Sequence, residues 1–415
     1  MGTNDAAEKI LDGITVVDLT TFVTGGFATL MLANQGAEVI KVERPELGDD
    51  NRHSGPPFVE PNEEYDGPGR TADANGESPY FWTINYDKLS VELNLKTESG
   101  LEALYDLVEE ADVVVENFRP GTAERLGISY DDLQKLNDDL VYCSISAFGE
   151  TGPWSRRPGY DLLVQGTSGI MSVTGPEGGD PVKVGQALGD LNTGLLTTIG
   201  ILARLHERER TGEGGELDVG LYDAVVSFLN EYITNYSMTG EVPGPQGTSH
   251  QTSVPYQLFE TKDSHIVTGV GSDERWDDFV EAIGREELAE YPTNDDRVEH
   301  KEEVVSIIQA EFRKETTDYW LDRLTEYGFP NGPMNNVEDV VENEQSEARG
   351  LVEEHDDPDW GECLMPGHPI HFPDHDTSIR SPAPRLGDDV DEVFGALADE
   401  EQVEAWREGG AFGDD

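Results

Sequence analysis

Asp190 sits in the stretch Val184-Gly185-Gln186-Ala187-Leu188-Gly189-Asp190-Leu191-Asn192-Thr193-Gly194, ahead of the apolar run that begins at Leu195. Gly189 leaves one side of this carboxylate without a Cβ wall, so a ligand backbone or a thioester can approach closely. The helix expected to follow offers unpaired N–H groups, which favour negative charge. A carboxylate so placed is expected to stay ionised and reachable, as a nucleophile must. An Asp ahead of a helix is also a common N-cap, so other residues must decide between the two readings.

The cations give the next clue. Lys41-Val42-Glu43-Arg44-Pro45 ends an expected strand, Lys96 follows another, and Arg125 lies in Glu116-Asn117-Phe118-Arg119-Pro120-Gly121-Thr122-Ala123-Glu124-Arg125. Strand ends and βα loops at the carboxyl edge of a parallel sheet are where ligands bind. Singly, each cation reads as a surface ion pair; together they suggest a polyphosphate ligand. The first βα turn, Thr20-Thr21-Phe22-Val23-Thr24-Gly25-Gly26, lacks the G-x-G-x-x-G spacing of a nicotinamide dinucleotide site. It suits either a tight turn or a small anion at a helix N-terminus.

The elements that must position these groups follow from periodicity. Strands are expected at Ile14 to Leu19, Glu38 to Glu43, Ser90 to Leu95, Val113 to Glu116 and Leu140 to Ser146, with helices at Gly25 to Gln35, Ser99 to Glu110 and Tyr130 to Leu136 between them. This alternation predicts an α/β fold, a Rossmann-like parallel sheet covered on both faces. Helices at Tyr160 to Met171, Leu195 to Glu209 and Tyr222 to Tyr236 follow, with a strand at Glu216 to Val219. The expected organisation is a large domain over 1–224, a smaller α/β domain over 225–335, and a C-terminal segment, 336–415, that is acidic and Pro-rich and then helical, returning to the large domain.

Composition bounds the rest. The formal charge is -58, from 86 acidic residues against 28 Lys+Arg, and the carboxylates are spread through periodic segments rather than gathered in a tail. Such an acidic, Lys-poor surface suits molar salt, where the Debye length is roughly 3 Å, and matches the cytoplasmic proteome style of salt-loving archaea. No basic stripe for nucleic acid is present. Cys143 and Cys363 have no metal-ligand spacing and read as buried small apolar residues. With no signal-like N-terminus and no run of 18 apolar residues, a cytoplasmic protein without a membrane span is expected.

Asp18-Leu19-Thr20, Gly36-Ala37-Glu38-Val39-Ile40-Lys41-Val42-Glu43-Arg44-Pro45, Val115-Glu116-Asn117-Phe118-Arg119-Pro120-Gly121, Gly159-Tyr160-Asp161, Gly189-Asp190-Leu191-Asn192-Thr193-Gly194 and Asn331-Gly332-Pro333 occur in this order. Together they resemble the class III coenzyme A transferases, the family that includes formyl-CoA transferase and the carnitine CoA-transferases. The resemblance covers about residues 10 to 395. It implies that Asp190 is the nucleophile, that Arg44, Leu93, Lys96, Asn117, Phe118 and Arg125 surround coenzyme A, and that Tyr160 and Asp161 line the reaction centre. It further implies an interlocked homodimer, coenzyme A as a co-substrate with no tightly bound cofactor or metal, and acyl-CoA and small carboxylic acids as partners.

Val23 stands where the formyl enzyme has a glutamine, and Gly269-Val270-Gly271-Ser272 stands in for its run of glycines as a covering loop. Room for an apolar substituent beside Val23, with Arg52 and His53 holding a remote carboxylate, suggests transfer from succinyl-CoA to a four- or five-carbon dicarboxylate, mesaconate first and malate or itaconate next. The fold also hosts 2-methylacyl-CoA racemases, whose Gly-His-Asp motif reads Gly159-Tyr160-Asp161 here; tyrosine, with a pKa of about 10, is a poor base near neutrality. A noncatalytic CoA-binding protein is the third reading, which Asp190 acting as a plain cap would favour.

Overall fold

The computed structural model describes residues 9–55, 57–59, 78–357 and 361–413. The chain divides into two compact units, one comprising Met1–Ile170, Val184–Glu231 and Gln345–Asp415, the other Met171–Lys183 and Tyr232–Glu344. Relative to the expected boundaries, 225–231 lies with the first unit, while 171–183 and 336–344 lie with the second.

The first unit is built on six parallel strands: β1 (Thr15–Asp18), β2 (Glu38–Glu43), β3 (Leu89–Glu92), β4 (Val113–Glu116), β5 (Val141–Ser146) and β6 (Gly215–Gly220). Their order is β3-β2-β1-β4-β5-β6, with β1 in parallel register to β2 on one side and to β4 on the other. Runs such as Val-Val-Val-Glu in β4 are buried along their whole length, as a strand covered on both faces requires. Alternate residues feed two cores. Val17, Ile40, Val114 and Tyr142 pack with the helix Glu98–Glu109 and with Phe394 and Trp406 of the C-terminal helices. Val16, Val39, Val113 and Cys143 pack with Leu32 of the helix Phe22–Asn34 and Ile201 of the helix Leu188–Thr211. The order reverses between β1 and β4, so the loops leaving those two strands depart to opposite sides and open a crevice at the carboxyl edge.

The second unit carries a three-stranded antiparallel sheet, β7 (Tyr256–Glu260), β8 (His265–Gly269) and β9 (Asn331–Pro333), in that order. Its core joins Phe259, Ile266, Trp276, Phe279, Phe312 and Trp320.

Three local expectations change. The helix expected from Leu195 begins at Leu188; Gly189, Asn192 and Gly194 are poor helix formers but are buried where the helix packs. The segment Tyr222 to Tyr236 is two helices, Leu221–Ser227 and Asn230–Thr239. The acidic C-terminal segment contains a hairpin, β10 (Val352–Asp357) and β11 (Gly361–Pro366).

Candidate active site

The turn after β1 is pinned from three directions. Asp18, fully buried, accepts from the N–H and the hydroxyl of Thr20 through Oδ1, at 2.9 and 2.6 Å. Across the β1/β4 crevice, Asn117 accepts the Thr21 N–H at 2.9 Å and donates Nδ2 to the Thr21 carbonyl at 2.6 Å. Asp49 accepts the Phe22 N–H at 3.0 Å and pairs with Lys41 at 2.8 Å, both side chains fully buried. These bonds hold Phe22 at φ 62°, a left-handed conformation that costs a non-glycine residue of order 1–2 kcal/mol. The helix Phe22–Asn34 starts there, three residues earlier than expected, and Thr24 occupies its first turn.

The helix Leu188–Thr211 lies directly against this one. A Cβ on Gly194 would stand 2.9 Å from both the Thr24 carbonyl oxygen and Phe27 Cδ1, so only glycine permits this approach. One turn earlier, Asp190 meets Thr24, whose hydroxyl donates to Asp190 Oδ1 at 2.7 Å. The helix N-cap is Ala187, without a side-chain cap bond, and Asp190 lies inside the first turn; the plain-cap reading of Asp190 is overturned. Capping is supplied from outside: Asp161 Oδ1 accepts the Gly189 N–H at 2.7 Å, and its Oδ2 accepts from Gln165 at 2.6 Å. Asp161 therefore fixes the height of Asp190.

Burial pushes the Asp190 carboxyl up to about 6, with the nearby Asp161 charge adding to the rise and the Thr24 bond opposing it. Desolvation is the largest cause of the shift, so the expected ionised carboxylate is ionised with a raised pKa. At pH 7 the ionised form still leads by about ten to one. Tyr80, on the helix Pro79–Asn85 and 47% exposed, feels the same two carboxylates: burial first, then Asp190 and Asp161, raise its phenol pKa. Among the described residues no group of three or more His, Cys, Asp or Glu is arranged to hold a metal ion, and no helix is long and apolar enough to cross a membrane.

The family model described as CoA-transferase family III matches residues 11–390. The chain belongs to that family. It is 39% identical over 382 residues to the succinyl-CoA:glutarate CoA-transferase of Mus musculus, covering 91% of this chain and 84% of the relative. It is also 39% identical to the succinyl-CoA:mesaconate CoA-transferase of Haloarcula marismortui, with 92% of this chain and 95% of the relative covered. Among solved structures, a CAIB/BAIF family protein from Brucella suis superposes with a TM-score of 0.82 at 34% identity, over 94% of this chain and all of that one. The protein is an enzyme, a class III CoA-transferase.

Several expected ligand residues of this CoA-transferase have other work. Arg52 is buried and forms a two-pronged pair with Glu43 at 2.8 and 2.7 Å, donates to the Pro384 carbonyl, and lies 3.7 Å over the Phe81 ring. Its charge is committed to Glu43, so the role of holding a remote carboxylate is withdrawn. Leu93 packs in the core beneath the sheet, and Phe118 is packed partly against the same core. Lys41, in the same strand-end motif as Arg44, is buried and also donates to the Thr20 carbonyl at 3.0 Å.

Arg44 and Lys96 are exposed in the loops after β2 and β3, and Arg125 is exposed on the short helix Thr122–Leu126 that follows β4. Arg44 bonds the Gly48 carbonyl and Asp50, and Arg125 bonds the Thr122 hydroxyl at 3.0 Å. Val23 is buried beside Thr24, and Tyr160 is 76% exposed at the N-cap of the helix that carries Asp161. Gly269 and Gly271 belong to the second unit.

Sequence reasoning missed Thr24 and Tyr80. Thr24 lies in the first βα turn, but only the hydroxyl bond to Asp190 shows what its side chain faces. Tyr80 follows the Ser78-Pro79 helix start, a capping signal readable in sequence, though its neighbours are not. Replacing Thr24 with Val keeps shape and removes a bond to a charged group worth about 1.5–3 kcal/mol. Exchange kcat is expected to fall about 10- to 100-fold, and the acid limb of the pH profile to move upward because a bond that lowers the Asp190 pKa is gone. A variant with wild-type kcat and an unmoved acid limb would show that Thr24 does not position the nucleophile.

Proposed function

We propose that Asp190 carries acyl exchange by covalent catalysis, moving coenzyme A from succinyl-CoA to a five-carbon dicarboxylate, mesaconate foremost. The observation that carries the reading is the Thr24–Asp190 bond at the crevice edge. It engages Oδ1, leaving attack to Oδ2, and Asp161 sets the helix turn that presents it.

Oδ2 attacks the thioester carbonyl of the donor; the C–S bond breaks, giving an aspartyl–succinyl anhydride and the CoA thiolate. The thiolate attacks the aspartyl carbonyl, succinate leaves, and the enzyme carries CoA as a thioester. The acceptor carboxylate attacks that thioester, expelling thiolate and forming a second anhydride. The thiolate then attacks the acceptor acyl carbon and releases Asp190 as a carboxylate. An anhydride is about as activated as a thioester, so the steps run nearly level. Arg44, Lys96 and Arg125 offer charges for the phosphates of coenzyme A, and Asn117, after β4, holds the turn after β1 across the crevice. The burial that raises the Asp190 pKa also limits water, which would waste the thioester.

Support for the acids comes from the two relatives, whose names give glutarate and mesaconate, both five-carbon diacids, as acceptors. Buried Val23 adds an apolar wall suited to a methyl branch. With Arg52 committed to Glu43, the half-exposed Tyr80 phenol is the polar group at Asp190 suited to bond the acceptor. Succinyl-CoA with mesaconate, glutarate, itaconate, malate, oxalate and formate decides the question. Mesaconate is expected to give the highest kcat/KM; glutarate in first place overturns the methyl-branch argument, and oxalate or formate in first place overturns the dicarboxylate assignment.

A further inference from the structure

The segment following β11 carries three histidines with no part in acyl transfer. His368, His371 and His375, with Arg349, Glu353 and Asp376, line a cavity of about 230 Å³ within the first unit. His368 is its most buried member, 3% exposed, and neither ring nitrogen has a hydrogen-bond partner. An imidazole carries at least one N–H whatever its tautomer, and burying it unpaired is costly. His375 repeats the pattern at Nδ1.

The two carboxylates of the wall are turned to backbone. Glu353 accepts the Ile379 N–H at 3.1 Å, and Asp376 accepts the Ser378 N–H at 2.9 Å. The other polar side chains of the lining are the Arg349 guanidinium, the three imidazoles and the hydroxyls of Thr377 and Ser378. Three metal-ligating groups do not converge among the described residues, which leaves anion recognition as the chemistry that fits: a guanidinium fork and imidazole N–H groups match the oxygens of a carboxylate or phosphate.

We propose that this cavity binds a small oxyanion, a carboxylate or inorganic phosphate, with Arg349 and His371 at the exposed rim and His368 beneath them. Burial lowers the His368 pKa, and the neighbouring His371 lowers it further; an anion between the rings reverses both effects. The site is separate from the nucleophile. Arg380, two residues past Ser378, donates to the Ala33 carbonyl at 2.8 Å near the C-terminus of the helix that presents Thr24 from its first turn. Ala33 and Thr24 are separated by roughly 14 Å at 1.5 Å rise per residue. An anion there acts on the fold or on the far end of this helix and not on the reacting atoms.

Thermal melts in molar KCl with millimolar potassium phosphate or potassium acetate test this. The better of the two anions is expected to raise Tm by about 2–4 °C near saturation, and the ion acting at lower concentration tells phosphate from carboxylate recognition. Arg349→Gln and His371→Ala, at exposed positions, should each abolish the rise while exchange kcat/KM stays within about twofold. His368→Leu should raise the ligand-free Tm, because an unpaired buried imidazole is gone, and should also abolish the response. A rise that persists in all three variants is a general salt effect or binding elsewhere, and overturns the proposal. So does the absence of a rise with both anions, or a response to Zn²⁺ alone.

Discussion

Asp190→Ala and Asp190→Asn are expected to lose exchange activity by on the order of 10⁴-fold or more, the scale seen when a covalent nucleophile is removed, while remaining folded. The fold should survive because the bonds that seat this helix run through its neighbours: Asp161 to the Gly189 N–H, Asn192 to the Ala224 carbonyl at 2.8 Å, and Thr198 to the Ala28 carbonyl at 3.1 Å. Hydroxylamine added after succinyl-CoA should modify residue 190 in the wild type only, read by mass spectrometry.

The same carboxyl gives a linked prediction of opposite sign for stability. Its pKa is near 3.8 unfolded and about 6 folded, so between those values the folded state binds more protons, and stability falls as pH rises through that window. Above pH 6 the ionised group costs the fold its full penalty, about 1–2 kcal/mol once partial exposure is discounted. Asp190→Asn should therefore raise Tm at pH 7.5, and the gain should vanish as pH approaches 4. Wild-type kcat/KM should fall about tenfold per pH unit below 6. Full activity in Asp190→Ala would end the covalent mechanism; an equal Tm at every pH would show that the group is not desolvated.

The second large effect is expected from salt. We propose that the net charge of -58 is managed by molar salt, so that removing KCl exposes self-repulsion that only screening and hydration hold off. Tm should fall by roughly 10 °C or more between 3 M and 0.1 M KCl. The buried charges are not the cause: Asp18, Glu43 and Asp49 are matched by Lys41, Arg52 and Lys88, paired at 2.7 to 3.2 Å away from solvent, where added ions do little. Light scattering in the same series bears on assembly. Leu195 and Ile199, 44% and 62% exposed one turn apart on the helix Leu188–Thr211, form an apolar stripe suited to the homodimer that the resemblance implies. Twice the chain's mass is expected in 3 M KCl. A monomer there removes the dimer, and a flat melting profile removes the salt argument.

Sequence alone determined the parallel sheet and singled out one carboxylate, Asp190. Runs of β-branched residues at β1 and β4 are local signals, and the alternation of strands with helices leaves few topologies open; the order β3-β2-β1-β4-β5-β6 is read from the structure. The Gly189-Asp190 motif pointed to one carboxylate, and its place beside Thr24 is consistent with that. Where local signals were weak, tertiary structure decided. The helix carrying Asp190 begins seven residues early because close packing at Gly194 outweighs poor propensity.

Arg52 reads as a ligand in its own loop, yet Glu43, nine residues away, and Pro384, 332 residues away, take its hydrogen bonds. Thr24 and Asp190 are 166 residues apart, and no periodicity of either segment encodes their contact. Spacing along a chain reports short-range preferences. Which charge is buried, which is paired, and what a carboxyl's pKa becomes depend on neighbours that only the folded chain supplies.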